Sequence, residues 1–199
     1  MKRGIRLAAC LSILAALLAC ESPFTTREPE SPSNNTSSLI NPTTPELVFV
    51  NLQIALSERN VENYVQSFVD STRSQRRFQF MPDQGVAASQ PGTFLNWSLE
   101  EERRYVQQMF QATPADSTIR LSFETDNRSE TATTATVTQN YTLIVRHRLQ
   151  SQSVPAEATG QATFFLERDE TGDWAIYRWE DFKTNTDDFS WSEIKAFFQ

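Results

Sequence analysis

The chain has 199 residues, of which 39% are hydrophobic and 11% aromatic, enough for one folded core of ordinary size. Its two cysteines, Cys10 and Cys20, lie near the N-terminus, so the rest of the chain holds neither a disulfide nor a cysteine-based metal site. The formal net charge of −7 disfavours nucleic acid, which is bound through cationic contacts to phosphate. We therefore expect no metal, no cofactor and no nucleic-acid partner.

The N-terminus has the features of a secretory signal. A short basic start, Met1–Arg6, precedes the apolar stretch Leu7–Leu18, which is too short to span a bilayer comfortably. The sequence Leu17-Leu18-Ala19-Cys20 resembles the lipobox of bacterial lipoproteins. That resemblance implies a signal peptide over residues 1–19 and lipid attachment to Cys20. A plain signal peptide that is cut nearby, with an incidental cysteine, is the alternative.

Residues 20–44 are predicted to form a disordered tether that begins with the acylated cysteine. The segment is rich in Ser, Thr, Pro and Asn and poor in apolar residues. A coil of this length reaches about 25–30 Å. Glu21 is not the Asp that retains enteric lipoproteins at the inner membrane, so the resemblance favours the outer membrane of a bacterial cell envelope. The expected membrane contact is the lipid on Cys20.

The globular part, residues 45–199, begins with predicted helices. Thr44-Pro45-Glu46 is typical of a helix start, because it combines a capping hydroxyl, a proline in the first turn and an acid. Asn60 is placed to cap a second helix. Ser98 and Glu101 have the spacing of a capping box, which predicts a third helix.

The segment between the second and third helices is rich in aromatic and turn residues. Phe78–Asp83 predicts a short aromatic strand, Gly85–Gly92 a loop, and Phe94–Trp97 a return strand. The third helix is predicted to stop at Pro114. The three acids Glu100–Glu102 could bind a cation, but the helix dipole, which favours negative charge near a helix start, explains them better.

The stretch Thr133–Gln150 alternates with period two, which predicts a long antiparallel strand with one face on a core and one in water. The inward positions are Ala135, Val137, Gln139, Tyr141, Leu143, Val145, His147 and Leu149. His147 is the chain's one histidine. Thr, Asn and Arg dominate the opposite face, which disfavours a large apolar dimer interface there.

Shorter strand patterns and a final helix surround the long strand. The predicted elements are a strand at Ile119–Phe123, a turn at Asp126–Ser129, a strand at Ala162–Leu166, and a strand at Trp174–Phe182. In the last strand, simple alternation sets Trp174 and Ile176 against Tyr177 and Trp179. Ser190 and Glu193 form a second capping box, before a helix whose apolar residues are expected to pack on the sheet or the first helices: Trp191, Ile194, Phe197 and Phe198.

This order of elements resembles the NTF2-like superfamily, a cystatin-like α+β fold that includes SnoaL-like cyclases and ketosteroid isomerases. The matching segments are Ala55–Phe68, Phe78–Asp83 and Asp173-Trp174-Ala175-Ile176, and the resemblance covers Pro45–Lys183. It implies an α+β fold, an NTF2-like cone in which N-terminal helices pack on a curved, mainly antiparallel sheet. A conical cavity is expected between the helices and the sheet.

Four residues are candidates to line that cavity: Tyr64, Trp97, Tyr141 and His147. Core packing is the alternative for the first three, and a hydrogen-bonded strand-end position is the alternative for His147. The isomerases use an Asp base with an oxyanion hole of Tyr and a protonated Asp. Tyr64 and Asp70 lie near suitable regions, but the long strand offers no second Asp on its inward face. No catalytic residue is therefore assigned.

The leading hypothesis is a lipid-anchored, non-catalytic NTF2-like domain at the cell envelope, binding a small apolar ligand or a partner protein. The alternative is a SnoaL-like or ketosteroid-isomerase-like enzyme that uses His147 or Asp70 as the base. A third hypothesis is a scaffold protein that dimerises through the open face of the sheet. The state of the cavity distinguishes the first hypothesis from the second. The enzyme needs an open cavity with convergent polar groups, whereas a cavity filled by side chains favours the non-catalytic domain.

Overall fold

The computed structural model describes residues 38–149 and 154–199, so the predicted signal, the lipid site at Cys20 and most of the tether lie outside the described residues. The described residues form an α+β fold. Its elements are α1 (Pro45–Glu58), α2 (Val61–Val65), β1 (Gln79–Met81), α3 (Gln84–Ser89), α4 (Leu99–Ala112), β2 (Arg120–Glu130), β3 (Thr134–Ile144), β4 (Glu157–Arg168), β5 (Trp174–Phe182) and α5 (Trp191–Phe197).

The five strands form one sheet in the order β1-β5-β4-β3-β2. Only β1 is parallel to its neighbour, so the sheet is mainly antiparallel. Phe49 of α1 lies 5.1 Å from the ring of Phe164 on β4 and 5.5 Å from the ring of Phe123 on β2, which fixes the first helix against the inner face of the sheet. The predicted fold class, with N-terminal helices packed on a mainly antiparallel sheet, is confirmed.

Local capping signals place the helices as predicted. Thr44 precedes α1 as predicted, but its hydroxyl makes no capping hydrogen bond. The side chain of Asn60 accepts a hydrogen bond at the start of α2, and Ser98 and Glu101 complete the capping box of α4. The helix α4 ends at Ala112, just before Pro114, which cannot continue a helix.

Three local predictions are wrong. The predicted loop after Asp83 contains α3, because the Asp83 carboxylate accepts hydrogen bonds from two backbone N–H groups and starts a helical turn. Phe94–Trp97 forms turns instead of a return strand. The predicted turn at Asp126–Ser129 lies inside β2, which stays paired with β3 up to Glu130 opposite Ala135.

The long strand is shorter than predicted, although its alternation persists. The strand β3 ends at Ile144, where the ladder to β4 also ends. Val145 and His147 nevertheless remain buried on the same side as Leu143, while Arg146 is exposed. The predicted alternation of buried and exposed side chains therefore continues beyond the last paired residues of β3 and β4.

A β-bulge in β5 decides which residues face the core. The pairing between β4 and β5 shifts by one residue at Tyr177, and a bulge of this kind reverses the alternation beyond it. Trp179 therefore faces the same side as Trp174 and Ile176, contrary to the prediction from simple alternation, and all three are buried. The same shift turns Asp181 inward, with 1% of its surface exposed.

The final helix packs into the fold as expected. Trp191 and Ile194 are fully buried and Phe198 is nearly so, but Phe197, which was also expected to pack, is exposed. The indole of Trp191 lies 4.5 Å from that of Trp179 on β5. The helix α5 therefore occupies the space between α4 and the inner face of β5, which we call the interior.

Candidate functional site

The interior holds a buried ion pair between α4 and α5. The Lys195 ammonium donates to Oε1 of Glu102, and both side chains have 0% exposure. Glu102 lies three residues after Leu99 and four before Val106, so helical spacing places it on the buried stripe of α4. Lys195 lies four residues after Trp191 and shares its face of α5 by the same geometry.

Two further donors fix the Glu102 carboxylate. The Tyr64 hydroxyl donates to Oε1 at 2.6 Å, and the Trp97 indole N–H donates to Oε2 at 2.7 Å. Both carboxylate oxygens therefore have partners in addition to Lys195. A buried carboxylate needs such hydrogen bonds as well as a counter-charge, because burial removes its hydration.

Four aromatic rings surround the Lys195 ammonium. Its nitrogen lies 4.0 Å from the ring centre of Trp179, 4.3 Å from Phe80, 4.8 Å from Tyr105 and 5.5 Å from Trp97. All four distances are within the range in which a ring face attracts a cation. We call these four rings together with Glu102 the ammonium cage.

A second carboxylate, Asp181, holds the first turn of α5. Its Oδ2 accepts hydrogen bonds from the backbone N–H of Ser192 at 2.7 Å and from the Ser192 hydroxyl at 2.6 Å. Its Oδ1 accepts from the Tyr141 hydroxyl at 2.7 Å. The same hydroxyl accepts from the Trp191 backbone N–H at 2.7 Å, and the Trp191 indole donates to the Tyr105 hydroxyl at 2.8 Å.

Gly160 makes room for the Tyr141 hydroxyl. The two residues are paired across β3 and β4. A Cβ on residue 160 would lie 2.6 Å from both the Tyr141 hydroxyl oxygen and the Phe182 carbonyl oxygen. The absence of a side chain there therefore allows Tyr141 to reach Asp181.

Burial sets the protonation of this cluster. It lowers the pKa of Lys195 to about 8, against the opposing attraction of Glu102 and Asp181. It raises the pKa of Asp181, although hydrogen bonds from Ser192 and Tyr141 oppose the shift. It raises the pKa of Tyr64 and Tyr141 well above the usual value, so both hydroxyls keep the protons that they donate to carboxylates.

Three of the four candidate pocket residues converge in the interior. Tyr64 and Trp97 meet at Glu102, and Tyr141 joins them through Asp181 and the first turn of α5. All three side chains are buried. They line the interior, which side chains of α5 fill, and their role in ligand binding stays a prediction.

His147 makes its contacts elsewhere. Its ring lies 5.3 Å from that of Phe198, and its side chain is 4% exposed, more buried than a position at a cavity mouth implies. The Leu149 backbone N–H donates to Nδ1 at 3.1 Å, so the ring proton lies on Nε2, which is 3.0 Å from the Pro155 carbonyl oxygen. The other proposed base, Asp70, lies at the surface, near Arg73.

Sequence reasoning missed the three charged residues of the interior, Glu102, Asp181 and Lys195. The helix dipole does not explain Glu102, because its carboxylate is fully buried and bonded to side chains. Glu102 and Lys195 share the apolar stripes of their helices, a signal that was available in the sequence. The bulge that turns Asp181 inward left no comparable signal.

An open groove lies outside the interior. Its volume is about 480 Å³, and its walls come from α1, β2, β3 and the chain just before β2, with Ile54, Ile119, Leu121 and Ile144 among the lining residues. Within residues 38–149 and 154–199, no cluster of His, Cys, Asp and Glu side chains is arranged to hold a metal ion. The helices of the same residues are all too short or too polar to cross a membrane.

The sequence matches no protein-family model and no curated protein. Solved structures do resemble the fold. A conserved protein from Planctomyces limnophilus DSM 3776 has a TM-score of 0.52 at 18% identity, over 69% of this chain and 91% of that one. A candidate aromatic ring hydroxylase from Novosphingobium aromaticivorans has a TM-score of 0.52 at 11% identity, over 73% and 90%. A candidate dehydratase of the NTF2-like family from Streptomyces avermitilis has a TM-score of 0.49 at 12% identity, over 71% and 94%.

Identities this low show a shared fold and carry no function. The N-terminal helices, which pack on the inner face of a mainly antiparallel sheet, match the architecture implied by the sequence resemblance. The described residues therefore form an α+β domain that shares its fold with these structures and whose interior is filled by the helix α5.

Proposed function

We propose that this protein is a lipid-anchored domain of the bacterial cell envelope that binds a small apolar ligand or a partner protein and does not catalyse a reaction. The observation that carries the proposal is the filled interior. Trp191 and Lys195 are fully buried where an enzyme of this fold would need an open cavity. The carboxylates of Glu102 and Asp181 are both engaged by α5.

The anchor is proposed from the lipobox-like sequence at Cys20, and Glu21 favours the outer membrane. The test compares membrane fractionation and acyl labelling of the wild-type chain with those of Cys20→Ser. The variant is expected to lose the label and to leave the membrane fraction. Cys10→Ser, which lies inside the proposed signal, is the matched control and should fractionate as wild type. An unlabelled wild-type chain, or a variant that stays with the membrane, would contradict the anchor.

The open groove supports the binding role, because it is concave and largely apolar. Ile54→Glu and Ile119→Glu would each place a charge near its walls, but Ile119 is fully buried, so Ile54 is the better probe. We expect Ile54→Glu to abolish the thermal shift caused by an apolar probe such as a medium-chain fatty acid. Ser57→Glu, at the polar part of the same wall, is the control for added charge. Unchanged probe binding by Ile54→Glu would remove the groove from the proposal.

An enzyme of the SnoaL-like type is the second candidate, and the observation that favours it is the buried Asp181–Tyr141 pair. An acid beside a tyrosine suits proton transfer next to a carbonyl group. The pair is reachable only if α5 moves, because Ser192 occupies the other carboxylate oxygen. Deuterium uptake from D₂O into a panel of ketones, abolished in Asp181→Asn, would establish this activity. If the wild-type chain introduces no more deuterium into the ketones than Asp181→Asn does, the result favours the binding role.

A further inference from the structure

We infer that the ammonium cage is a ligand site, which Lys195 occupies in this structure. The ligand that replaces Lys195 carries a primary ammonium group close to an aromatic ring. The inference goes beyond the proposed function, because it adds a cationic ligand in the interior to the apolar ligand proposed for the open groove. The helix α5 is then an intramolecular competitor that leaves the interior when the ligand binds.

The cage is built entirely by residues that precede α5. Phe80 comes from β1, Trp97 from the turn before α4, Glu102 and Tyr105 from α4, and Trp179 from β5. The hydrogen bonds from Tyr64 and Trp97 orient the carboxylate without help from Lys195. A receptor whose groups are fixed in advance loses little freedom on binding. The cage therefore has the composition of an ammonium site, four rings and one carboxylate, independently of its occupant.

The link from β5 to α5 is largely exposed. It comprises residues 183–190, of which five are exposed, while Ser190 is buried. The helix α5 has seven residues. Its polar contacts in the interior go to Glu102, Asp181, Tyr105 and Tyr141, so its departure would free a converging set of acceptors.

The present occupant indicates the ligand's shape. Lys195 supplies an ammonium, and Trp191, one helical turn earlier, supplies a ring that packs 4.5 Å from Trp179 and 5.3 Å from Tyr141. An aryl-alkyl ammonium joins the same two groups in one molecule. Within the described residues, the buried indole N–H of Trp179 has no hydrogen-bond partner, so α5 leaves one donor of the interior unsatisfied. A ligand that also carries an acceptor would satisfy it.

Competition between α5 and the ligand should lower the apparent affinity of the wild-type chain for that ligand. When the binding-competent state is a small fraction of the population, the apparent affinity falls by that fraction. Lys195→Ala removes the resident ammonium and weakens the hold of α5. The variant should therefore bind an aryl-alkyl ammonium at least about tenfold more tightly than the wild-type chain.

The test uses the full chain with 2-phenylethylammonium and its neutral analogue 2-phenylethanol, and it measures affinity by calorimetry. The variants are Lys195→Ala, Lys195→Ala with Glu102→Gln, and the control Arg128→Ala. Arg128 pairs with Glu130 within β2, outside the cage and outside α5. We expect the ammonium probe to bind Lys195→Ala most tightly, to bind Arg128→Ala as wild type, and to lose affinity in the double variant. Hydrogen exchange of residues 190–199 in the wild-type chain should increase when the probe is saturating.

Several results would overturn the inference. Equal affinity of Lys195→Ala for the alcohol and the ammonium would remove the ligand class while leaving the proposed binding function standing. No ammonium binding to Lys195→Ala, or no change in exchange of the wild-type α5, would remove the site. If Lys195→Ala does not fold alone, refolding restored by the ammonium and not by the alcohol supports the site, and refolding restored by neither overturns it.

Discussion

Replacing Lys195 by methionine should destabilise the fold by about 3–5 kcal/mol, because it leaves the fully buried Glu102 carboxylate without its counter-charge. Glu102→Gln should cost a similar amount, because it leaves the Lys195 ammonium unpaired in a site with 0% exposure. If the two residues acted independently, the double variant would lose roughly 6–10 kcal/mol, about the whole stability of a typical domain.

The double variant should lose much less than that sum. With both charges gone, the remaining cost comes from Tyr64 and Trp97, which both donated to the carboxylate. The glutamine oxygen can accept from one of them, while the other faces an amide N–H₂. One unsatisfied buried donor costs about 1–3 kcal/mol. The coupling energy between the two positions should therefore be at least about 3 kcal/mol.

Urea denaturation at pH 7, followed by tryptophan fluorescence, gives the four free energies of unfolding. The half-buried pair of Lys183 and Glu193 supplies the control cycle, for which we expect a coupling of about 1 kcal/mol or less. Additive losses in the Glu102–Lys195 cycle, or a loss below about 1 kcal/mol for Lys195→Met, would refute the buried pair as described.

Three further predictions follow from the interior. Stability should rise between about pH 8 and pH 10, because burial lowers the pKa of Lys195 to about 8 and the unfolded chain, with the ordinary value of 10.5, binds more protons in that window. The neutral amine, unlike methionine at this position, still donates a hydrogen bond to Glu102. Urea melts in steps of pH should show this rise in the wild-type chain and not in the variant without both charges. Gly160→Ala should destabilise by about 1–3 kcal/mol in the same melts, because its Cβ would overlap the Tyr141 hydroxyl, while Thr159→Ala should have a smaller effect. His147→Ala should lower the free energy of unfolding by about 2 kcal/mol in a denaturant melt, since it removes two hydrogen bonds and the contact with Phe198. A loss below about 0.5 kcal/mol, the size of an ordinary surface substitution, would contradict the burial of His147.

Features that depend on close neighbours in the chain could be predicted from the amino-acid sequence. The alternation around Tyr141 predicted the strand β3 and its buried face, and the structure keeps that face from Ala135 to His147. The residues Ser98 and Glu101 predicted the start of α4, and Ser190 and Glu193 the start of α5. These signals act over two to four residues, so no tertiary contact is needed to read them.

The residues that fill the interior could not be predicted in this way, because they come from distant parts of the chain. Glu102 and Lys195 are 93 residues apart, and each taken alone is a charged residue on a helix that local rules assign to solvent or to the helix dipole. Asp181 faces inward only because one extra residue at Tyr177 shifts the pairing of β5 against β4. A charged side chain can be buried when a partner of opposite charge or a set of hydrogen-bond donors contacts it. Here the packing of α4, β5 and α5 brings those partners together, and no short stretch of the sequence specifies that packing.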